Sequence, residues 1–148
     1  MGMKMTTTES EIATYIDSRC EAVRKAMIRA MQYAGERCVN EARRAGSYTD
    51  RTGNLRSSVG YVLSVDGRIV ADSGFESVSA TGEAGGRSGR SYAREVARRF
   101  PEGIVLVVVA GMNYASYVAD TGRDVIDSAE LLADRLVPQI LRQIINAA

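Results

Sequence analysis

Histidine does not occur in this sequence of 148 residues. Because histidine is the usual general base, the usual partner of a nucleophile and the commonest metal ligand, its absence excludes the most common catalytic and metal sites. Aspartate and glutamate remain, but most alternate with arginine along helical patterns, as on a solvated helix face. We therefore expect no enzymatic activity, no cofactor and no small-molecule substrate, and a pair of carboxylates is the one catalytic arrangement left open.

Cysteine is scarce, and the two that occur, Cys20 and Cys38, fall within one helical pattern. Along a continuous helix they are separated by about 27 Å, since each residue adds 1.5 Å. A disulfide needs Cα atoms within about 7 Å, and two distant thiols cannot supply the four ligands of a structural zinc site. We expect both cysteines to be small buried apolar residues, without metal or redox chemistry.

Lysine is almost missing as well, because Lys4 and Lys25 are the only lysines among 19 basic residues, and the formal net charge is +1. The chain as a whole is therefore no electrostatic trap for nucleic acid or acidic membranes. Arginine suits interfacial ion pairs better than lysine does. The bias fits a protein-facing surface, although a GC-rich genome produces the same composition.

Long apolar runs are also absent. The longest is Ile104 to Ala110, whereas a membrane span needs about 20 apolar residues. Residues 1–10 are polar and lack the apolar core of a signal peptide. We expect a protein that is made and kept in the cytoplasm and does not bind membranes.

A long amphipathic helix is predicted at the start of the chain. Thr8 and Glu11 have the spacing of a capping box, apolar residues then recur at helical intervals, and Gly46 suits the end of the helix. A helix of this length exceeds the core of a small domain, so part of it is expected to project, to pack on a neighbour or to bend near Gly35. A second amphipathic helix, capped by Asp127 or Ser128, is predicted at the C-terminal end.

The strand signals are clustered. Asp66-Gly67 predicts a tight hairpin turn between strands at 61–65 and 68–71. The β-branched run from Ile104 to Val109 predicts a strand in the middle of a sheet, and Val125-Ile126 predicts a short edge strand. We predict an α+β fold in which the long N-terminal helix and the C-terminal helix pack on a small, mostly antiparallel sheet of about four strands. Residues 1–148 are expected to form a single domain with a flexible N-terminus at 1–8.

A glycine-rich segment occupies residues 73–91 and has few large apolar side chains. We predict a long mobile loop here, followed by a short helix from Tyr92 to Phe100. The segment does not match a phosphate-binding P-loop, because Arg87 rather than lysine precedes Ser88.

Five arginines make the end of this segment locally basic, and three of them fall near one face at helical spacing. They are either a solvated or partner-facing surface or a surface that contacts DNA. The five are Arg87, Arg90, Arg94, Arg98 and Arg99.

Two further segments combine polar residues with an apolar or aromatic anchor. Residues 52–58, Thr-Gly-Asn-Leu-Arg-Ser-Ser, place a glycine turn just before Leu55. Residues 113–122, Asn-Tyr-Ala-Ser-Tyr-Val-Ala-Asp-Thr-Gly, set Tyr114 and Tyr117 one helical turn apart. Tyrosine is enriched at interfaces, and core packing with the hydroxyls at the surface is the alternative. The predicted assembly interface consists of Thr52, Gly53, Asn54, Leu55, Arg56, Tyr114, Tyr117, Asp120 and Gly122.

These two segments, lying in this order between a long N-terminal helix and a C-terminal helix, resemble the tail-component family of long-tailed bacteriophages. Members of that family are minor tail, tail-completion or neck proteins. The resemblance extends from about Ile12 to Ile145. It implies an α+β fold and a position in the ring-shaped joint between head and tail, where rings are commonly six-fold and DNA passes through. It brings no catalytic residues.

The function that the resemblance implies is structural: ring assembly and partner binding during head–tail joining or tail completion. The implied partners are copies of the chain itself, in a ring of the commonly six-fold kind, and other neck or tail proteins. Any contact with the passing DNA would not be sequence-specific. The implied locations are the host cytoplasm during assembly and then the virion neck or tail. The alternative function is a small DNA-binding or regulatory protein that uses the basic stretch from Arg87 to Arg99.

Overall fold

In the computed structural model of the chain, which describes residues 2–4 and 6–147, helices cover both faces of a three-stranded antiparallel sheet. The α+β prediction is confirmed, with three strands in the described residues instead of about four. The strands are β1 (Val59–Val65), β2 (Arg68–Asp72) and β3 (Ile104–Ala110). The helices are α1 (Glu9–Ala45), α2 (Asn54–Ser57), α3 (Glu83–Ala97), α4 (Ala115–Asp120) and α5 (Asp127–Ala147).

The first helix begins and ends where the sequence predicts. The Thr8 side chain accepts a hydrogen bond from the Glu11 backbone, the Glu11 carboxylate accepts one from the Thr8 backbone, and the helix ends before Gly46. The predicted flexibility of residues 1–8 stays a prediction, and two of these residues, Met1 and Met5, lie outside the described residues.

Only the C-terminal third of α1 is buried. Its fully buried residues are Ala34, Gly35, Cys38, Val39 and Ala42, whereas the part before Ala34 has no fully buried residue. Cys38 is buried as expected, but Cys20 is exposed, so that expectation was wrong for Cys20. Cys20 is exposed because α1 is longer than the sheet on which it packs. Part of α1 was expected to extend beyond the core.

The sheet order is β2-β1-β3, so β1 is the central strand. The prediction that residues 104–109 lie in the middle of the sheet was wrong, because β3 is an edge strand that, among the described residues, pairs with β1 alone. A run of β-branched residues signals that both faces of a strand are covered, and β3 is indeed covered by helices on both faces. It does not signal that both edges are paired.

The two faces of β1 pack against different helices. Val59, Tyr61 and Leu63 lie in a cluster with buried residues of α1 and α5, whereas Val62 packs with Ala93 of α3. All four β1 residues are completely inaccessible to solvent. Each such side chain stabilises the fold by about 1.5–3 kcal/mol relative to an exposed one. The result is a three-layer arrangement of α1 and α5, sheet, and α3.

The hairpin between β1 and β2 is confirmed. Asp66 and Gly67 both have positive φ, at 49° and 81°, as a two-residue turn of this kind requires. The Asp66 carboxylate also accepts hydrogen bonds from the Arg24 guanidinium at 2.6 Å and from the Gly103 N–H at 2.9 Å. These bonds lower the pKa of Asp66, with the Arg24 bond as the larger cause.

The predicted edge strand at Val125-Ile126 was wrong, because these residues belong to the connection between α4 and α5. Val125 is buried with Tyr48, Leu55 and Ala115 in a small apolar cluster. The apolar pair is therefore explained by side-chain packing and needs no backbone ladder.

The glycine-rich segment is largely helical, so the predicted loop over residues 73–91 was wrong from Glu83 onward. Gly85, Gly86 and Gly89 are buried on one face of α3. A methyl group on any of them would overlap a backbone carbonyl oxygen of Asn54, Phe75 or Ser58. The glycines thus let α3 lie directly on neighbouring backbone, which offsets their low helix propensity.

Candidate assembly surfaces

Arg56 joins the end of α1 to the loop that follows it. Its Nε donates to the Arg43 carbonyl oxygen at 3.2 Å, and its Nη2 donates to the Gly46 carbonyl oxygen at 2.9 Å. The guanidinium carbon lies 4.8 Å from the centre of the Tyr48 ring, in a cation–π contact. The Arg56 N–H donates to the Asp50 carboxylate at 2.8 Å. Arg56 therefore satisfies carbonyl groups that the end of a helix leaves without partners.

The other residues of this segment face inward. Leu55 is only 3% exposed and belongs to the apolar cluster around Val125. Gly53 is buried and has φ of +75°, which directs the chain into α2. The Asn54 side-chain oxygen accepts from the Gly85 N–H at 3.0 Å near the start of α3.

Thr52 is the exposed member of the segment, and its carbonyl oxygen accepts hydrogen bonds from the hydroxyls of Ser79 and Thr81. The segment thus connects the end of α1, the 73–82 connection and α3 within one chain. Its predicted role in assembly stays a prediction, and for the buried members that role would be indirect.

The second segment is at the surface. Tyr117 is 72% exposed and Tyr114 is 38% exposed, and both belong to the turn of helix around α4. Asp120 is exposed at the end of α4, and Gly122 follows with φ of +80°. The four predicted interface residues of this segment are therefore accessible to another protein, as is Thr52 of the first segment.

The two segments meet in space. Leu55 and Ala115 share one apolar cluster. Burial raises the pKa of the Tyr114 hydroxyl, and the nearby Asp50 carboxylate raises it further. The segment around Leu55 thus packs under the segment that carries the exposed tyrosines. The two segments singled out in the sequence therefore belong to one region of the molecule.

A groove of about 780 Å³ runs beside the tyrosines, between α3 and the end of β3. One wall carries Ser88, Tyr92 and Glu95 of α3, and the other is formed by residues 110–113, 115 and 116. The Ser88 hydroxyl donates to the Gly111 carbonyl oxygen at 2.7 Å and holds the walls together. Sequence reasoning did not identify this groove, although the small residues at 85–89 that bring α3 so close were visible in the sequence.

The five arginines of the basic stretch all lie at the surface of α3 or just after it. Arg87, Arg94 and Arg99 are paired with Glu83, Asp72 and Glu95 at 2.8, 3.7 and 3.6 Å. Arg90 donates to the Gly74 carbonyl oxygen. Because three of the five charges are neutralised locally, this surface is less basic than the sequence suggests.

The N-terminal part of α1 offers a further exposed surface. Tyr15 and Ile16 are 66% and 53% exposed. Val23 and Met27 line an open groove of about 810 Å³ between α1 and the start of β3. The apolar stripe of α1 thus continues well beyond the residues that its own chain covers.

No cluster suited to metal binding is found among the described residues, where no three Cys, Asp or Glu side chains converge. In the same part of the chain, no helix combines the length and the apolar character that crossing a membrane requires.

The comparison with protein families decides the relationship. Residues 10–120 match the model of the HK97-gp10-like family, described as "Bacteriophage HK97-gp10, putative tail-component". The chain belongs to this family. The matched range contains the 52–58 segment, residues 113–120 of the second segment, the whole sheet and all five arginines, whereas Gly122 and α5 lie outside the HK97-gp10-like region. No curated protein matches the chain, and no solved structure matches it.

Two features escaped sequence reasoning. Arg43 is half-buried and donates to the Val59 carbonyl oxygen at 2.9 Å, and burial lowers its pKa. Tyr48 is 6% exposed under the Arg56 guanidinium. The available signal was the arginine in the last turn of α1, where a cation near the carbonyl end of a helix is favourable.

Proposed function

We propose that the chain is a structural subunit of the phage neck or tail end. It joins copies of itself into a ring and binds neighbouring virion proteins during head–tail joining or tail completion. The resemblance noted in the sequence implies six subunits in the ring. The subunit acts in the host cytoplasm during assembly and then in the virion, and it performs no catalysis.

The exposed tyrosine pair beside the α3 groove carries this proposal, together with the family match. Tyrosine supplies a large, rigid contact area at low entropic cost. Tyr117 is 72% exposed, so burial of its ring contributes little to the stability of the subunit. Such an arrangement supports protein binding as the function of this surface.

Ring formation requires two different patches on each subunit, because a head-to-tail interface joins unlike surfaces. The tyrosine surface is one patch in this proposal. The exposed stripe around Tyr15 and Ile16 of α1 is the other. They lie on different elements, and both are apolar enough to stabilise a contact once covered.

The test is the mass distribution of the purified chain, measured by mass photometry and by electron microscopy for rings. The double variant Tyr114→Ser/Tyr117→Ser should remain monomeric at concentrations where the unchanged chain forms rings. Tyr33→Ser is the matched control, because Tyr33 is a 50% exposed tyrosine on α1. A double variant that forms the same rings as the unchanged chain would contradict the assignment of this surface.

DNA binding by the isolated subunit separates this proposal from the alternative function. We expect weak binding, since three of the five arginines are already paired with carboxylates. Tight binding of duplex DNA by the monomer, falling steeply as salt is raised, would favour the DNA-binding alternative.

A further inference from the structure

The outer edge of β3 has unpaired backbone groups. At the two ends of its ladder with β1, the Gly111 N–H donates to the Ser58 carbonyl oxygen at 3.2 Å and the Asp66 N–H donates to the Gly103 carbonyl oxygen at 2.9 Å. In an antiparallel ladder every second residue faces the partner strand. The register therefore turns the N–H and C=O groups of four residues outward, and within the described chain no hydrogen bond reaches them. The four are Ile104, Leu106, Val108 and Ala110.

The opposite edge of the sheet differs. β2 begins with Arg68 and ends with Asp72, and its register with β1 is broken by a bulge. Charges, bulges and short length are the features that protect edge strands from pairing with other chains. β3 has seven residues, no charge, no proline and no bulge. One edge is thus protected, and the other is open to a further strand.

A cleft lies between β3 and α5 on one face of the sheet. Its volume is about 360 Å³, and Glu130 is the one charged residue of its lining. A strand added to β3 would place every second side chain into this apolar space. The lining includes Leu106 and Val108 of β3 and Ala129, Ala133 and Val137 of α5.

The residues that precede α1 have the pattern that such a strand needs. Methionine occupies positions 1, 3 and 5, with Gly2, Lys4 and Thr6 at the positions that follow, so apolar and polar residues alternate with the period of a β-strand. Three β-branched threonines come next, and the backbone of Thr8 is extended, with φ of −76° and ψ of 157°. Methionine also adapts to irregular apolar gaps. We call residues 2–8 the arm.

The exposure and charge of the arm agree with this pattern. Residues 2–4 and 6–8 are exposed, and the Met3 side chain is fully exposed. Lys4 is the one charged residue of the arm. The arm is therefore positive, whereas the cleft carries the single negative charge of Glu130. Its apolar side chains are uncovered in the free subunit, and its charge is opposite to that of the cleft.

The arm cannot reach the cleft of its own chain. Leu106 lies against α1 at Gly35, where an added Cβ would be 3.0 Å from the leucine Cδ1. Thr8 and Gly35 are separated by about 40 Å along the helix, at 1.5 Å per residue. The arm spans at most about 24 Å even when it is fully extended. A cleft that accepts the arm therefore belongs to a second copy.

We propose that the arm of one copy adds to the open edge of β3 in a second copy, as a fourth strand whose methionines enter the cleft under α5. Main-chain hydrogen bonds supply the affinity in this mode of recognition, and the pockets for alternate side chains supply the specificity. The arm and the edge are different surfaces, so the contact is head to tail and repeats around a ring. The ring rests on the proposed function, whereas the exchange of arms does not.

Disulfide trapping between full-length copies tests the proposal. Two variants of a chain without its own cysteines (Cys20→Ser/Cys38→Ala) are mixed and oxidised, one with Met3→Cys in the arm and one with Ala133→Cys in the cleft. A disulfide between the unlike copies is expected, because the arm brings Met3 under α5 and a disulfide forms only over a short distance. Val137→Cys is the second cleft position, in case the geometry at Ala133 is unsuitable.

Lys4→Cys is the matched control for the arm. Its side chain lies on the opposite face of the added strand, so trapping with Ala133→Cys should be about fivefold weaker or less. The exchange variant Met3→Lys/Lys4→Met keeps the composition of the arm and breaks its alternation. It should raise the concentration at which copies associate by about tenfold, measured by analytical ultracentrifugation, whereas Gly2→Ser should change it by less than about twofold.

Amide hydrogen exchange shows whether the edge is occupied. The amides of Leu106 and Val108 should exchange fast in the free monomer and at least about tenfold more slowly in the associated chain, because only then do they donate to another strand. The exchange variant Met3→Lys/Lys4→Met should keep them fast at the same concentration.

Three results would overturn the proposal: equal trapping of Met3→Cys and Lys4→Cys, an internal disulfide in a single chain that carries both Met3→Cys and Ala133→Cys, or slow exchange at Leu106 and Val108 in the free monomer. Rings that assemble without trapping at either cleft position would leave the proposed function intact and refute the exchange of arms. Trapped pairs of copies that never form rings would support the exchange of arms and refute the ring.

Discussion

The segments around Leu55 and Tyr117 lie next to each other in space but differ in exposure, since one is buried and the other faces solvent. Leu55 is 3% exposed and Tyr117 is 72% exposed. The polar groups of the first segment form hydrogen bonds within the chain, where Arg56 binds the end of α1 and Asn54 binds α3. The second leaves its aromatic rings in solvent. In the proposed function the first segment supports the fold and the second contacts other subunits, and this difference can be measured by separating stability from assembly.

Leu55→Ala should give the largest loss of stability. The side chain is buried in a small cluster with Tyr48 and Ala115, and truncating a buried leucine costs about 3 kcal/mol including the cavity that remains. Urea unfolding followed by circular dichroism measures the change. Leu131→Ala, at a 65% exposed position of α5, should change stability by less than about 0.5 kcal/mol. Equal effects in the two variants would contradict the supporting role.

Gly85→Ala should come next, at about 2 kcal/mol, because the new methyl group would overlap the Asn54 carbonyl oxygen. Alanine in place of glycine normally stabilises a helix by up to about 1 kcal/mol, so the sign of the change is itself diagnostic. Ala84→Gly, at an exposed neighbouring position, measures helix propensity alone. A stabilised Gly85→Ala variant would show that α3 does not lie on this backbone.

Arg56→Ala should cost about 1.5 kcal/mol, through two charge-assisted hydrogen bonds and the contact with the Tyr48 ring. Faster amide exchange in the last turn of α1 should accompany the loss. Arg51→Ala serves as the control, because Arg51 is exposed in the preceding loop. Unchanged exchange at the end of α1 would show that Arg56 is not what holds it.

Tyr117→Ala should have the smallest effect on stability, less than about 0.5 kcal/mol, because the ring is largely in solvent. Its effect on assembly should nevertheless be the largest of the four, visible as a shift from rings to monomers. A melting temperature lowered as much as that of Leu55→Ala would mean that the tyrosine belongs to the support after all.

Local signals in the sequence predicted local structure well. The capping box at Thr8, the end of α1 at Gly46 and the hairpin at Asp66-Gly67 each depend on a few neighbouring residues, and all three are confirmed. The α+β class is also confirmed. The family resemblance seen in the two polar segments agrees with the match over residues 10–120.

The errors concern features that tertiary contacts decide. Glycines at 85, 86 and 89 suggested a loop because glycine has low helix propensity. Their close packing against the backbone of Asn54 and Phe75 depends on tertiary contacts that the sequence does not show. The apolar content of 104–109 could not reveal that one edge of β3 is unpaired. Nor could the sequence show that the guanidinium of Arg56 is used within the chain, since a surface arginine and a helix-binding arginine read alike.

The length of α1 has a mechanical consequence. Its 37 residues extend for about 55 Å, and its fully buried residues all lie from Ala34 onward. The buried part contacts the sheet closely at Gly35, where an added methyl group would lie 2.8 Å from a carbon of the Tyr61 ring. A small rotation of α1 at this contact would move its N-terminal end through a larger distance. Substitutions at Gly35 should thus shift the N-terminal end of α1 without changing any of the side chains exposed there.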